Sequence, residues 1–174
     1  MKLTAITLLL LFAYTGFSQT ISMTGIGDIK IGMKQADLEK ITGTKIKLKN
    51  LAQKDGYRDT INFTLKEIAY QVAIEKTYME EDKYEITVAE VRTSNAKIKT
   101  KSGIAIGDDK IKIITTYTDY TIHIMPEYED DTYTKKSKTK SMVTVYSDET
   151  GNTITFYLTN NKVTSISVSY SEGC

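Results

Sequence analysis

The chain contains only one cysteine, Cys174, among its 174 residues. It therefore cannot form an internal disulfide, although exported proteins of this size often use them. We expect a continuous hydrophobic core to hold the fold together instead. A lone thiol near a chain end also allows an intermolecular bridge. A disulfide-linked dimer through Cys174 is one expectation, and an incidental tail residue without a role is the alternative.

An excess of either charge is also missing. The chain has 23 lysines and arginines against 22 aspartates and glutamates, and without residues 1–18, which contain Lys2, both counts are 22. Nucleic-acid binding normally needs a basic patch, so we expect no nucleic-acid partner. No segment after residue 18 has the apolar length that crosses a bilayer, so we expect no transmembrane segment in the mature chain.

Motifs for catalysis and for cofactor binding are absent from the sequence. There is no serine elbow, no phosphate-binding loop and no pair of cysteines at zinc spacing. His123 is the only histidine, and no partner for general-base chemistry is marked near it. The acidic residues Glu127, Glu129, Asp130 and Asp131 lack the glycine of a calcium loop. The sequence thus predicts no catalytic residue, no metal site and no cofactor, with a hydrolytic enzyme built on His123 and this acidic loop as an alternative.

Residues 1–18 have the three parts of a secretory signal peptide. Lys2 supplies the positive charge, residues 3–13 form an apolar run, and Gly16 and Ser18 are the small residues before the cleavage point. The run is shorter than the roughly 20 residues that span a bilayer. We predict a signal peptide over 1–18 and an exported protein, periplasmic or secreted. A buried N-terminal helix is the alternative.

A short phrase occurs twice in the remaining chain. Its glycines, Gly32 and Gly107, are 75 residues apart (107 minus 32). Each glycine follows an Ile-x-Ile strand pattern and precedes apolar residues at helical spacing, such as Leu38 in the first copy and Ile113 in the second. A repeat at this distance predicts one small unit used twice.

The rest of the chain alternates with the period of β-strands. The runs 67–78 and 84–91 predict a hairpin, and the polar segment 127–141 predicts a mobile loop. Pro126 is expected to end a strand over 119–125 because proline cannot donate to a strand ladder. A three-strand antiparallel meander is predicted at 142–147, 153–159 and 162–170.

These segments predict an α+β fold with a tandem duplication. The first repeat covers 19–95 and the second covers 96–174, which ends in the meander. In each repeat a glycine-led helix packs on an antiparallel sheet. Helices on one face would leave the opposite sheet face open for recognition.

The phrase Ile-x-Ile-Gly-Met-Lys-x-x-x-Leu-x-x-Ile-x-Gly, from Ile29 to Gly43, resembles a pattern found in small exported bacterial domains. These are the SmpA/OmlA type and the tandem-repeat β-lactamase-inhibitory-protein type. The resemblance implies a helix hairpin on an antiparallel sheet, and the duplication is more similar to the second type. The second copy departs from the pattern, with Asp108 at the position of Met33.

Tyrosine is abundant, with 12 residues. Its ring combines apolar area with a polar tip, which favours interfaces. We predict a non-catalytic binding module that recognises a protein or a cell-envelope component through the open sheet face. A structural or assembly factor of the bacterial envelope is an alternative. The predicted binding residues are Tyr70, Tyr84, Tyr120, Tyr146 and Tyr157.

Overall fold

The computed structural model describes residues 19–49, 58–80, 83–130 and 132–171. The predicted signal peptide and Cys174 lie outside the described residues, so the predictions of export and of a disulfide-linked dimer stay predictions. None of the helices within these ranges is both long enough and apolar enough to cross a membrane.

Two sheets and two short helices make up the fold. The small sheet has four strands: β1 (Thr20–Ser22), β2 (Gly25–Ile26), β3 (Ile29–Lys30) and β7 (Lys99–Thr100). The helices are α1 (Gln35–Thr42) and α2 (Lys110–Thr116). The large sheet has seven strands: β4 (Arg58–Leu65), β5 (Ile68–Glu80), β6 (Lys83–Thr93), β8 (Thr121–Tyr128), β9 (Lys136–Tyr146), β10 (Asn152–Thr159) and β11 (Lys162–Tyr170).

The large sheet is antiparallel throughout, in the order β4-β5-β6-β11-β10-β9-β8. Its two halves meet where β6 pairs with β11, with Val91 opposite Val168. The predicted hairpin and meander are present as β5–β6 and β9–β10–β11. The β10–β11 turn consists of Asn160 and Asn161, both with positive φ, which is the conformation that tight hairpins require.

The predicted α+β class is wrong. Strands account for 55% of the described residues and helices for 11%, so this part of the chain is mostly β, and it is not built as one helix packed on a separate sheet in each repeat. The helices have only eight and seven residues. The strand-forming segments are longer, up to 13 residues in β5. Their edges join at β6 and β11, so the two halves share one sheet.

Two local predictions around the β8–β9 connection also need correction. Pro126 lies inside β8, opposite Ser141, and does not end the strand. An edge strand tolerates proline because one side of its ladder is unpaired. The predicted loop over 127–141 is shorter, since β8 continues to Tyr128 and β9 begins at Lys136.

The two glycine phrases attach to the large sheet in the same way. Gly32 N donates to Val88 O of β6 at 2.8 Å, and Gly107 N donates to Val163 O of β11 at 2.8 Å. Both glycines have positive φ, 77° and 90°, which allows the turn between the short strand and the helix. The origin of the two halves from one repeated unit, with its boundary at residues 95 and 96, stays a prediction.

The helix ends are stabilised differently in the two copies. Asp109 caps α2 by accepting a hydrogen bond from Ile111 N at 2.9 Å, whereas Lys34 at the start of α1 makes no side-chain cap. At the other end of α1, Gly43 adopts the left-handed conformation that its position after the helix predicts.

One hydrophobic core lies between the large sheet on one side and the small sheet with both helices on the other. Leu38 of α1 and Ile113 of α2 are fully buried, as are Val72 and Phe156 of the large sheet. Side chains alternate across a strand, so the residues next to these in sequence lie on the other face of the sheet. That other face is where the fold leaves room for a site.

Candidate functional site

The candidate site is the face of the large sheet that points away from the core, here called the open face. Within the described ranges, both helices and the small sheet bury their apolar side chains against the opposite face. By register, the open face carries Arg58, Thr60, Asn62 and Thr64 on β4, Gln71 and Ala73 on β5, Glu90 and Arg92 on β6, Ser165, Ser167 and Ser169 on β11, Thr153, Thr155 and Tyr157 on β10, Met142, Thr144 and Tyr146 on β9, and His123 and Met125 on β8.

Small hydroxyl side chains form the floor at the centre of the open face. Thr144 and Thr155 share a hydrogen bond of 3.2 Å across β9 and β10, and Thr153 and Ser169 share one of 3.1 Å across β10 and β11. Such cross-strand pairs stabilise an antiparallel sheet and fix its side chains. The floor is therefore polar and held in place before any partner arrives, and because its threonine side chains are buried, the longer side chains around it would make most of the contacts.

The side chain of Arg92 lies on the open face beside this floor. Its Cζ lies 3.8 Å from the centroid of the Tyr157 ring, which is a cation–π geometry. Glu90 lies between two cations, with Oε1 3.3 Å from Arg92 and Oε2 2.8 Å from Arg58. Two arginines thus share one carboxylate, and Glu75 lies opposite Arg58 on β5, so two positive and two negative charges balance here.

A depression of about 440 Å³ lies beside Arg92. Its polar lining includes the side chains of Asn62, Gln71, Ser94 and Ser165. Each of these side chains can donate a hydrogen bond. The depression therefore concentrates hydrogen-bond donors around a cation.

The opposite end of the open face carries methionines beside charged side chains, since Lys140 shares this face with Met142, and Glu127, Asp130 and Lys136 line the depression there. Met142 stands beside Tyr157 on the neighbouring strand, and Met125 stands beside Met142 on the next. Both methionines line a second depression, of about 620 Å³, together with Tyr128 and Tyr133, whose rings meet edge to face at 5.5 Å. Methionine adapts its shape to different apolar partners, so this end suits a large apolar side chain.

The structure places two of the five predicted tyrosines on the open face. Tyr157 packs against Arg92, and Tyr146 packs against His123 with ring centroids 4.7 Å apart. Tyr120 is exposed but lies off the open face, where its ring meets the buried Tyr117 edge to face. Tyr84 lies near the β5–β6 turn, with the ammonium group of Lys76 over its ring.

Tyr70 belongs to the core and not to a surface. Its side chain is 2% exposed, stacks on Phe63 and donates a hydrogen bond to Gln19 Oε1. It sits on the same side of β5 as the buried Val72, so its ring has almost no area to offer a partner. Burial raises the pKa of the Tyr70 hydroxyl to about 12.

This shift predicts a loss of stability in alkali. The pKa of Tyr70 is higher in the folded chain (about 12) than its ordinary value of 10.0, so the folded state holds the proton more tightly. The contribution to stability is complete below pH 10 and is lost as the pH rises towards 12. Tyr70→Phe should show a smaller drop in melting temperature than the wild type across this range. Tyr170→Phe is the control, because Tyr170 is exposed. If the melting temperature falls equally steeply with pH in all three proteins, the prediction is contradicted.

The acidic residues Glu129 and Asp130 make an ion pair and hydrogen bonds within the loop itself. Asp130 accepts hydrogen bonds from the backbone N–H groups of Thr134 and Lys135, at 3.0 and 3.1 Å. A hydrogen bond from the Thr134 hydroxyl is the largest cause that lowers the pKa of Asp130 to about 2. Glu129 pairs with Lys135 at 2.6 Å, and this contact lowers its pKa. Asp131 lies outside the described residues. An acid with a lowered pKa holds its charge and does not supply a proton at neutral pH.

His123 lies on β8, where its ring contacts Tyr146. Over the part of the chain that the structure describes, no three histidine, cysteine, aspartate or glutamate side chains converge in a way that could hold a metal ion. The prediction of no catalytic residue stays a prediction.

We compared the chain with protein families, curated proteins and solved structures. No family model, no curated protein and no solved structure matches it. The resemblance of the glycine phrase to the SmpA/OmlA and β-lactamase-inhibitory-protein types therefore stays a prediction, and the function has to be argued from the open face itself.

Proposed function

We propose that the chain is an exported, non-catalytic binding module that recognises a protein partner through the open face. The observation that supports it most is the contrast between the two faces of one sheet. One face is covered by both helices and the small sheet, while the other presents an arginine, a tyrosine and two methionines on a rigid hydroxyl floor.

The dimensions of the open face suit a protein partner. Seven strands about 4.8 Å apart are roughly 29 Å wide, and strands of eight residues are about 27 Å long. The area is of the order of 800 Å², which is what a standard interface buries on each side. Small ligands usually sit in deeper cavities, whereas a broad face of this size matches a folded surface or an extended segment.

The composition of the open face also supports binding. Tyrosine, arginine and methionine are enriched at interfaces, and a few such residues carry most of the binding energy. Tyr157 and Arg92 stack on each other, so each restricts the movement of the other. Little entropy is then lost when a partner immobilises them. If the chain is instead an assembly factor of the envelope, it would bind a structural partner through this same face.

Tyr157→Ala should reduce partner capture about tenfold or more, as for other tyrosines at the centre of an interface. The tagged mature protein is used to capture partners from an envelope extract, and each recovered protein is quantified by mass spectrometry against the wild type. Tyr120→Ala is the control, because it removes an exposed tyrosine ring from a position off the open face. A partner retained by Tyr157→Ala, or lost equally from both variants, would contradict a role for the open face.

A further inference from the structure

We infer that the protein partner presents a carboxylate to Arg92 and a large apolar side chain to Met142 and Met125. This inference rests on the proposed function and specifies the chemistry of the partner. It follows from the positions of hydrogen-bond donors and of apolar side chains at two places on the open face.

The guanidinium of Arg92 has unused hydrogen-bonding capacity. Its side chain is 31% exposed, and its contact with Glu90, at 3.3 Å, is an ion pair without a hydrogen bond. Among the described residues it donates no hydrogen bond, and its Nε is buried without a partner. Five N–H donors in a planar fork match a carboxylate. Stacking on Tyr157 holds that fork at a defined height above the floor.

Further donors surround the same point. Asn62, Gln71, Ser94 and Ser165 line the depression beside Arg92. The hydrogen bonds found within the described ranges do not involve any of these four side chains. Arg92 supplies a positive charge beside these donors. An anion in the depression would receive hydrogen bonds and charge compensation together, which makes such contacts stronger than neutral ones.

Strand register places the apolar side chains. Tyr157, Met142 and Met125 lie opposite one another on β10, β9 and β8. Arg92 is on β6, so Met142 and Met125 are three and four strands away from it, roughly 14 and 19 Å at about 4.8 Å per strand. Met125 is 46% exposed, so it offers apolar area to a partner. An extended segment covers these distances in about four to six residues. The partner should therefore carry its acidic and apolar side chains about four to six positions apart.

A free small acid would satisfy Arg92 but would leave the methionines uncovered. A basic partner would leave the donors of Arg92 and of the depression unused. A polypeptide with an acidic residue near an apolar one meets both requirements with a single chain. The open face therefore fits a protein segment rather than a metabolite.

The probe for this inference is a displayed library of random seven-residue peptides, selected on the immobilised mature protein. We expect enriched peptides to contain Asp or Glu four to six positions from Leu, Met, Phe or Trp. A synthetic peptide from the enriched set should bind Arg92→Gln about tenfold or more weakly than the wild type, as expected when one partner of a charged pair is removed. Lys45→Gln is the control, because it removes an exposed cation that pairs with Glu39 of α1 and lies off the open face, and its change should be under about threefold.

A double-mutant cycle completes the test. Replacing the acidic residue of the peptide by its amide should weaken binding to the wild type and have little further effect on Arg92→Gln. Melting temperatures of Arg92→Gln and Lys45→Gln show whether both variants are folded. If enriched peptides need Tyr157 but carry no acid, the inference fails and the proposed function stands. If no peptide distinguishes the wild type from Tyr157→Ala, both fail.

Discussion

Phe156→Ala is expected to lower the free energy of unfolding by about 3–5 kcal/mol. Phe156 is fully buried at the middle of β10, with Val143 and Ile166 opposite it on the two neighbouring strands. Its ring also packs on Tyr117, which follows α2, with centroids 5.9 Å apart. Truncation would leave a cavity between the sheet and the second helix, and a close-packed core cannot fill such a space without strain.

Denaturant unfolding measures this loss of free energy. An unchanged m value would show that the folded and unfolded states expose the same surface as in the wild type. Tyr133→Ala is the matched control, since that aromatic side chain is 74% exposed and its removal should cost less than about 1 kcal/mol. A loss below about 1 kcal/mol for Phe156→Ala would contradict the assignment of faces. Tyr157, the next residue, would then no longer be certain to point outward, so the functional proposal would fail as well.

The local alternation of residue types is sufficient to predict the hairpins, but not how the hairpins pair with one another in the sheet. Alternation over β5, β6, β10 and β11, together with the Asn160–Asn161 turn, is a short-range signal that survives in the structure. The pairing of β6 with β11 joins segments far apart in sequence, and no periodicity encodes it. The parallel pairing of β1 with β7 is equally remote. The α+β prediction is wrong because the two helical phrases form only short helices, whereas the strands are longer and join into one seven-stranded sheet.

The candidate site was only partly predictable for a similar reason. Tyr157 was predicted from residue type, but Arg92 was missed. Counting alternation along β6 places Glu90 on the same face as Val88. A bulge shifts the register there, since Ala73 pairs with Glu90 while the next residue, Ile74, pairs with Val88. The extra residue turns Glu90 and Arg92 to the open face. Bulges depend on partner strands, so a single sequence gives little warning of them.

Tyr70 shows the opposite error. Its residue type suggested an interface, but its position on β5 matches the buried Val72. Residue type alone cannot choose between the two faces of a strand. The choice is made by which face the helices and the small sheet cover, and that is a property of the whole chain.

Gly25→Ala is the second substitution with a large expected effect. A Cβ at residue 25 would lie 2.1 Å from Ile29 O and 2.8 Å from Lys30 Cα, and both are backbone atoms that cannot rotate away. Gly25 also has a φ of +147°, which side chains rarely adopt. Backbone strain costs about 1–3 kcal/mol and overpacking about 1–3 kcal/mol. We therefore expect a loss of about 2–6 kcal/mol.

Gly32→Ala separates the two causes. Gly32 has a φ of +77°, but a Cβ there meets no atom within 4 Å, so only the backbone term of about 1–3 kcal/mol applies. Denaturant unfolding of both variants should show Gly25→Ala as the more destabilised. Equal losses would mean that β2 and β3 do not approach as closely as the structure describes. Because β2 and β3 help to cover the core face and lie away from Tyr157, the folded fraction of Gly25→Ala should still bind the partner with wild-type affinity. A folded variant that no longer binds would instead place part of the site on the covered side of the sheet.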